Sequence, residues 1–244
     1  MSSIEARSAA YEGHDELRVL EENAVNYNQH IADQFASVLP RLTLEPGHAP
    51  VVIDFGAGIG TISRLFRATT GVSPLAVELD AYQRQVLKER GFEATTKLST
   101  VQDGSVDFVF SSNVLEHIND HVGALREVHL KLRRGGCVAL WVPAFPALWT
   151  SLDDRVGHFR RYTLSSVQNA LSAAGFTSYP VCHYQDSVGS ALALAFKVVG
   201  SKNGEIGASQ VRLFDRTLFP ISKLVDLVCR RWFGKNVFVV AVKG

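Results

Sequence analysis

The sequence predicts an α/β fold: a doubly wound, mostly parallel sheet of seven strands with helices on both faces. Three observations carry this prediction. Apolar runs of strand length alternate with stretches of helical spacing from Pro50 to Tyr184, the pattern of strands joined by crossover helices. The first run, Val51 to Ile53, ends in Asp54 and breaks into Gly56, Gly58 and Gly60 before a helical stretch. Such a turn through bare backbone is where folds of this class hold nucleotide-like ligands. The final run, Asn236 to Val242, follows no crossover of standard size, so the last strand is expected to enter antiparallel.

Taken in order, residues 1–13 read as a frayed start. From His14 to Leu39 apolar residues recur at Leu17, Leu20, Ala24, Tyr27, Ile31 and Phe35, a spacing of one amphipathic helix or two. Pro40 to Pro50, with Pro46-Gly47, is a linker. After the first strand, Ser63 to Thr69 is helical, Pro74 to Leu79 a strand, and Ala81 to Arg90 a helix ended by Gly91. Phe92 to Thr95 is a weak strand and Val106 to Ser111 a strong one. His121 to Arg133 reads as a helix with cations at its C-terminal end, stopped by Gly135-Gly136. Cys137 to Val142 is a strand, Ser165 to Ala174 a helix, Thr177 to Tyr184 a strand, and Asn236 to Val242 the last. The long connection from Gln185 to Lys235 holds an apolar helix at Val188–Val199, a turn through Gly200, Gly204 and Gly207, and a helical stretch at Val211–Trp232. The expected organisation is a single domain over 1–244: a helical cap at 14–39, a core at 50–184 and 236–243, and a helical insertion at 185–235.

Composition narrows the function classes. With 46% hydrophobic and 20% charged residues and a net charge of +1, the chain lacks the bulk charge of a nucleic-acid binder. Cys137, Cys182 and Cys229 are odd in number and form no Cys-x-x-Cys pair. That argues against a disulfide framework or a zinc site, so no metal is expected and a reducing cytoplasm is. Met1 to Asp15 lacks the basic-then-apolar order of a signal peptide. No run reaches the roughly 20 apolar residues that cross a bilayer.

The glycine order helps decide the ligand. The dinucleotide fingerprint is Gly-x-Gly-x-x-Gly, whereas here the third glycine comes one residue early and Thr61 stands in its place. Gly56, Gly58 and Gly60 allow close backbone approach because they lack Cβ. Asp54, at the strand's mouth, could accept hydrogen bonds from a ligand ammonium. Glu78 follows Gly60 by 18 residues, near the spacing at which an acid meets ribose hydroxyls; Asp80 is its rival. Asp54 to Gly60, read as Asp-x-Gly-x-Gly-x-Gly, resembles the first motif of class I S-adenosylmethionine (SAM) dependent methyltransferases, which have a Rossmann-like fold. The stretch Asp103 to Ile118, containing Asn113-Val114-Leu115-Glu116-His117, is similar to the segment after the fourth strand in the ubiquinone-biosynthesis type. The resemblance covers about Pro50 to Phe176 and the final strand. It implies SAM as cofactor, with Ala57 in the turn beside the glycines and Leu79 next to Glu78. It further implies Asn113 and Val114 along the methionine portion and Leu98 beside adenine.

Three places could serve the methyl acceptor. The densest is Trp149 to Thr163, which follows the fifth strand. There Arg160 and Arg161 could fork onto a carboxylate or phosphate, His158 could act as a base near neutral pH, and Tyr162 could donate a hydrogen bond. The alternative is that Asp153 or Asp154 pairs with these arginines to pin the loop. The segment also resembles Gly-His-x-Arg-Arg-Tyr stretches in bacterial small-molecule methyltransferases. His117 is the second candidate base. The third place is the N-terminal helix, where Tyr27 could cover the site or simply pack. The expected reaction is methyl transfer to an O, N or C nucleophile of a small molecule, anionic or partly hydrophobic, by a monomer or homodimer. Nucleic acid is not an expected partner; peripheral contact with a membrane is compatible with the apolar insertion. The rivals are an NAD-type oxidoreductase and a catalytically silent SAM-binding scaffold.

Overall fold

The computed structural model describes residues 14–199 and 207–244; the frayed start expected at 1–13 and the turn glycines Gly200 and Gly204 lie outside the described residues. The chain begins with α1 (His14–Asn23) and α2 (Val25–Ala36), so the N-terminal periodicity resolves into two helices that part at Ala24. Then follow β1 (Val52–Phe55), α3 (Thr61–Thr70), β2 (Leu75–Val77), α4 (Ala81–Glu89), β3 (Ala94–Thr95) and β4 (Val106–Ser112). Next come α5 (His121–Lys131), β5 (Leu132–Pro143), α6 (Ser151–Arg155), α7 (Leu164–Ala173) and β6 (Ser178–Gln185). The chain closes with α8 (Ser187–Val199), α9 (Ala208–Leu213), α10 (Phe219–Cys229) and β7 (Asn236–Val242), a π-helical turn at Phe214–Leu218 joining α9 to α10.

The seven strands form one sheet in the order β3-β2-β1-β4-β5-β7-β6. All neighbours among β1 to β5 are parallel, and β7 runs antiparallel between β5 and β6. The order reverses at β1, with β2 on one side and β4 on the other, and the carboxyl ends there form the crevice where ligands bind in open α/β sheets. Alternation along the central strands builds a core on each face. Val138, Leu140 and Val142 of β5 pack with Leu125 and Val128 of α5 and Val167 and Leu171 of α7. Cys137, Ala139 and Trp141 face the other way, with Phe108 and Phe110 of β4 and with Ile31, Phe35 and Phe66 from α2 and α3.

The boundary between the fifth helix and the fifth strand moves furthest from expectation. The helix foreseen to Arg133 stops at Lys131, and β5 starts at once at Leu132, running through both glycines. The register slips there, between the Val106 and Phe108 pairings. A Cβ on Gly136 would lie 3.0 Å from the carbonyls of Arg133 and Val106. The glycine therefore admits close backbone contact inside a strand rather than ending a helix.

Asp107 anchors the start of β4 at the centre of the sheet. Its buried carboxylate accepts the Val51 N–H at 2.8 Å and His48 Nε2 at 2.9 Å, and also Arg133 Nε. Burial pushes its pKa up, but the Arg133, Val51 and His48 bonds outweigh that and hold it below the usual carboxylate range. A depressed acid contributes stability that is full above its unfolded pKa, about 3.9, and is lost as the pH falls through its folded pKa. We therefore expect Asp107→Asn to cost about 1.5–3 kcal/mol at neutral pH, the scale of hydrogen bonds to a charged group. The penalty should shrink in urea titrations taken below pH 4. A penalty independent of pH would contradict this account.

The insertion is bonded to the N-terminal helices. Asp215 accepts the Asn26 and Tyr27 N–H groups at 3.0 and 2.8 Å, capping α2 from 188 residues away in the chain. Arg212 of α9 binds Asn23 Oδ1 at the end of α1. Asp226 of α10 accepts the Asp186 and Ser187 N–H groups, both at 2.8 Å, where α8 begins. Among the described residues no helix is long and apolar enough to cross a membrane.

Candidate functional site

The glycine turn sits at the carboxyl end of β1, beside the ends of β2 and β4. Gly56, Gly58 and Gly60 all have positive φ, at 78°, 57° and 82°, a region that L residues with a Cβ enter at a cost. At Gly56 there is also no room: a Cβ would lie 2.3 Å from Val114 Cγ2. Val114 is thus packed against the turn, and Ala57 is buried within it. Helix α1 comes over the other side, its Leu17 Cδ1 3.9 Å from where a Cβ on Gly58 would stand.

The two rival acids separate. Asp80 caps α4, accepting the Gln83 N–H at 2.8 Å. Glu78 faces the turn: one carboxylate oxygen accepts the Gly58 N–H at 2.8 Å and the other the Asp80 N–H at 2.9 Å. Each oxygen keeps a further lone pair for a hydroxyl donor. Asp54 lies deeper than its position at the strand end suggests, 3% exposed and accepting the Ser63 hydroxyl at 2.6 Å. Burial pushes its pKa up to about 7, with the Ser63 bond opposing and the Glu78 charge adding to the rise. Ser63 had no signal in the sequence beyond its place on the helix after the turn. Leu79 is exposed beside Glu78, whereas Leu98 is a core residue at 2% exposure.

The segment after β4 is built to reach across the crevice. Ser111 donates to the Phe55 carbonyl at 2.7 Å, joining β4 to the root of the turn. Asn113 has φ 53° and gives its N–H to the Trp141 carbonyl at 2.8 Å, leaving its side chain exposed. The next residues, Val114 to His117, carry the chain from the glycine turn to the loop that follows β5.

That loop folds onto this segment. The Phe159 N–H donates to the Glu116 carbonyl at 2.7 Å. Arg160 donates to the carbonyls of Leu115, Ile118 and Asn119. Asp153, 1% exposed, gathers the rest. It accepts His158 Nδ1 at 2.7 Å, Arg161 through Nε at 2.8 Å and Nη2 at 2.9 Å, and the Thr150 N–H at 2.8 Å. Burial opposes ionisation of Asp153, but the His158 and Arg161 bonds prevail and hold its pKa far below the usual range.

On the acceptor side several of the expected residues have partners within the fold. Arg160 places its guanidinium on backbone carbonyls and Arg161 places its own on Asp153, the pairing that stood as the alternative. Tyr162 is 2% exposed, and its hydroxyl is shared with His121 Nδ1 at 2.9 Å. It is a core residue with its hydroxyl already partnered. Tyr27 is fixed under the insertion and not over the site. Its hydroxyl accepts Trp141 Nε1 at 3.2 Å and Asn236 Nδ2 at 2.8 Å, and its ring stands edge-on to Trp141 and Phe219. Trp149 stays at the site's edge, its ring 6.4 Å from that of His158 and its Nε1 on Asp154 at 3.0 Å.

The two candidate histidines meet. The rings of His117 and His158 stand edge to face with centroids 4.6 Å apart. Burial pushes the His117 pKa down to about 4, with His158 beside it adding to the fall and the Val156 carbonyl opposing. His117 is therefore neutral at physiological pH and a weak base. Glu116, which the sequence showed inside the motif without a role, is fully buried, and neither carboxylate oxygen has a hydrogen-bond partner. Burial pushes its pKa up to about 8; its own amide and the charges of Arg161 and Arg160 oppose, and Asp153 adds to the rise. Asp153 was legible in part, since Thr150 and Asp153 have capping-box spacing and do form that box at the start of α6.

A methyltransferase-domain family profile matches residues 27–181. No curated protein matches the chain in sequence. Among solved structures, a chain of the complex between the Haloferax volcanii Trm112 methyltransferase activator and a methyltransferase is similar at 15% identity. The match covers 94% of this chain and 95% of that one, with a TM-score of 0.62. A SAM-dependent methyltransferase from Archaeoglobus fulgidus is similar at 14% identity, over 93% of this chain and 99% of that one, TM-score 0.60. Phosphoethanolamine N-methyltransferase 2 of Haemonchus contortus, solved with SAM, is similar at 18% identity over 86% of this chain and 52% of that longer one, TM-score 0.54.

Proposed function

We propose, from the premise that this chain belongs to the class I SAM-dependent methyltransferases, that it methylates an O, N or C nucleophile of a small molecule held at the His158 end of the crevice. One observation carries the placement of the acceptor. A single short segment packs Val114 on the glycine turn and, two and three residues later, sets Glu116 and His117 against His158. The donor cradle and the acceptor loop thus share a wall.

Gly56, Ala57, Gly58 and Gly60 would let the cofactor lie against backbone. Glu78 would receive the ribose hydroxyls on its two free lone pairs, and Asp54 would face the ammonium end. Asn113 and Val114 would flank the methionine portion. When bound, the cofactor supplies a methyl group already activated on a sulfonium, so the protein's task is to align the acceptor and exclude water. His158, oriented by Asp153, and Trp149 would position that acceptor. Since the nearby arginines are spent within the fold, an anionic acceptor would have to be recognised by other groups.

A partly hydrophobic acceptor met at an anionic surface is supported by the insertion. Leu213, Ile221, Leu224, Leu227, Val228 and Trp232 are all at least half exposed. Within 207–235 the two acids, Asp215 and Asp226, are buried as helix caps, so every exposed charge there is basic. Apolar residues ringed by cations suit peripheral contact with anionic lipid.

The test supplies SAM carrying a tritiated methyl group together with pooled hydroxy acids, phenols and amines, and in parallel with cell protein and RNA fractions. Label in a small-molecule product, reduced at least tenfold in His158→Ala with cofactor affinity retained, is the expected result. Label only in protein or RNA would overturn the small-molecule assignment. Cofactor binding without transfer in any fraction would favour the silent scaffold.

A further inference from the structure

We propose that Glu116, His117 and His158 form a binding site for a divalent transition-metal ion, with zinc as its representative. Each of the three offers a ligand atom, and these atoms lie within 4.8 Å of one another. The set comes from two segments, Glu116 and His117 after β4 and His158, 42 and 41 residues further on, after β5. No Cys-x-x-Cys or paired-histidine spacing could therefore announce it in the sequence.

Two independent features favour an ion over a simple polar cluster. Glu116 is fully buried and both its oxygens lack a hydrogen-bond partner. Such groups are rare in native interiors, and a bound ion is one of the few accounts of them. His158 has Nδ1 held by Asp153 at 2.7 Å, which leaves Nε2 as its ligand atom. That is the carboxylate–histidine arrangement by which proteins fix the tautomer and raise the basicity of a metal ligand. His117 stands beside it, its ring edge to face with that of His158 at 4.6 Å between centroids. His158 is thus oriented by a second partner, and each imidazole brings a nitrogen within 4.8 Å of a carboxylate that has no hydrogen-bond partner.

The donor set selects the metal class. Two imidazoles and one carboxylate suit zinc and its neighbours in the first transition row, whereas magnesium and calcium take oxygen donors. Three protein ligands leave a tetrahedral ion one open position, the mark of sites that bind a further molecule. The site lies on the acceptor side of the crevice, so an oxygen or nitrogen of the substrate is the natural occupant of that position. This last step rests on the methyltransferase reading; ion binding itself does not.

The experiment treats the purified full-length chain with chelator, then titrates it with Co2+ and with Zn2+ in the absence of cofactor and acceptor. Wild type is expected to bind one equivalent of either metal and, with Co2+, to show the intense visible d–d absorption of a four-coordinate site. Glu116→Gln, which preserves volume, and His158→Ala should each weaken binding by on the order of 100-fold and lose the absorption. Asp153→Asn should weaken it by about 10–100-fold, as for other partners of ligating histidines. If wild type binds no metal at micromolar concentration, or if the Glu116→Gln and His158→Ala proteins bind as wild type does, the proposal is overturned. S-adenosylhomocysteine calorimetry on the same samples keeps the two readings apart. Loss of metal with cofactor binding intact sinks only the metal site, and metal binding with no cofactor affinity sinks only the methyltransferase reading of this crevice.

Discussion

Gly58→Arg is expected to abolish cofactor binding while leaving the protein folded. A Cβ at this position would meet Gln83 Oε1 at 3.6 Å and Leu17 Cδ1 at 3.9 Å, ordinary contacts, so the first atom of a side chain fits. The φ of 57° costs a non-glycine residue roughly 1–2 kcal/mol. The rest of an arginine side chain must then run out of the turn, across the backbone that a ligand would approach. Calorimetry with S-adenosylhomocysteine should show affinity reduced at least about 100-fold, a loss of roughly 2.7 kcal/mol, with thermal unfolding still cooperative. Unchanged affinity would move the cofactor away from this turn. Gly56→Ala is a different experiment, because its Cβ would collide with Val114 at 2.3 Å and would disturb the wall shared with the acceptor loop.

Asp153→Ala is expected to be the most destabilising change at the acceptor side. The carboxylate is buried and holds His158, both nitrogens of the Arg161 fork and the Thr150 amide. Removing one partner of a buried pair leaves the other charge uncompensated, at a cost of about 3–5 kcal/mol. Urea denaturation should show that loss, and the segment from Trp149 to Thr163 should become protease-sensitive. Asp153→Asn keeps the shape and some of the hydrogen bonds, so it should cost less stability. A loss in Asp153→Ala under 1 kcal/mol would mean that the loop is held chiefly by Arg160 and Phe159 on the segment after β4.

Much of the fold was legible because the strands are short, apolar and separated by strong breakers. The last strand was placed at Asn236 to Val242 and observed there, antiparallel as the absence of a standard crossover required. The boundary that failed, at Lys131, failed for a tertiary reason. Gly135-Gly136 looks like a helix stop in isolation, yet Gly136 lies close to three backbone carbonyls, of Arg133, Val106 and Asp107, around the β4–β5 irregularity. The glycine turn and Glu78 were legible since each depends on local backbone chemistry. Asp80 could not be told from Glu78 until helix α4 was seen to start there.

The acceptor side behaved differently. Local pattern marked the loop from Trp149 to Thr163 as dense in ionisable groups, and charge alone suggested that its arginines would meet a ligand. Which charges face each other is set by how two loops from separate strands pack, and that packing turned Arg161 onto Asp153 and Arg160 onto three carbonyls. Tyr162 read as a functional tyrosine and is a core residue, and Tyr27, which could cover the site or simply pack, is partly buried against Trp141 and Phe219, because burial of a ring depends on elements distant in the chain.

By itself, then, the sequence determined the sheet, the glycine turn at its switch point and the family to which those belong, since alternation, breakers and bare backbone act over a few residues. Only the tertiary structure decided which ionisable groups are spent on the fold and which remain for chemistry. Glu116, His117 and His158 became a cluster when the loop after β5 folded onto the segment after β4, and contacts across 42 residues leave no period or spacing in a sequence.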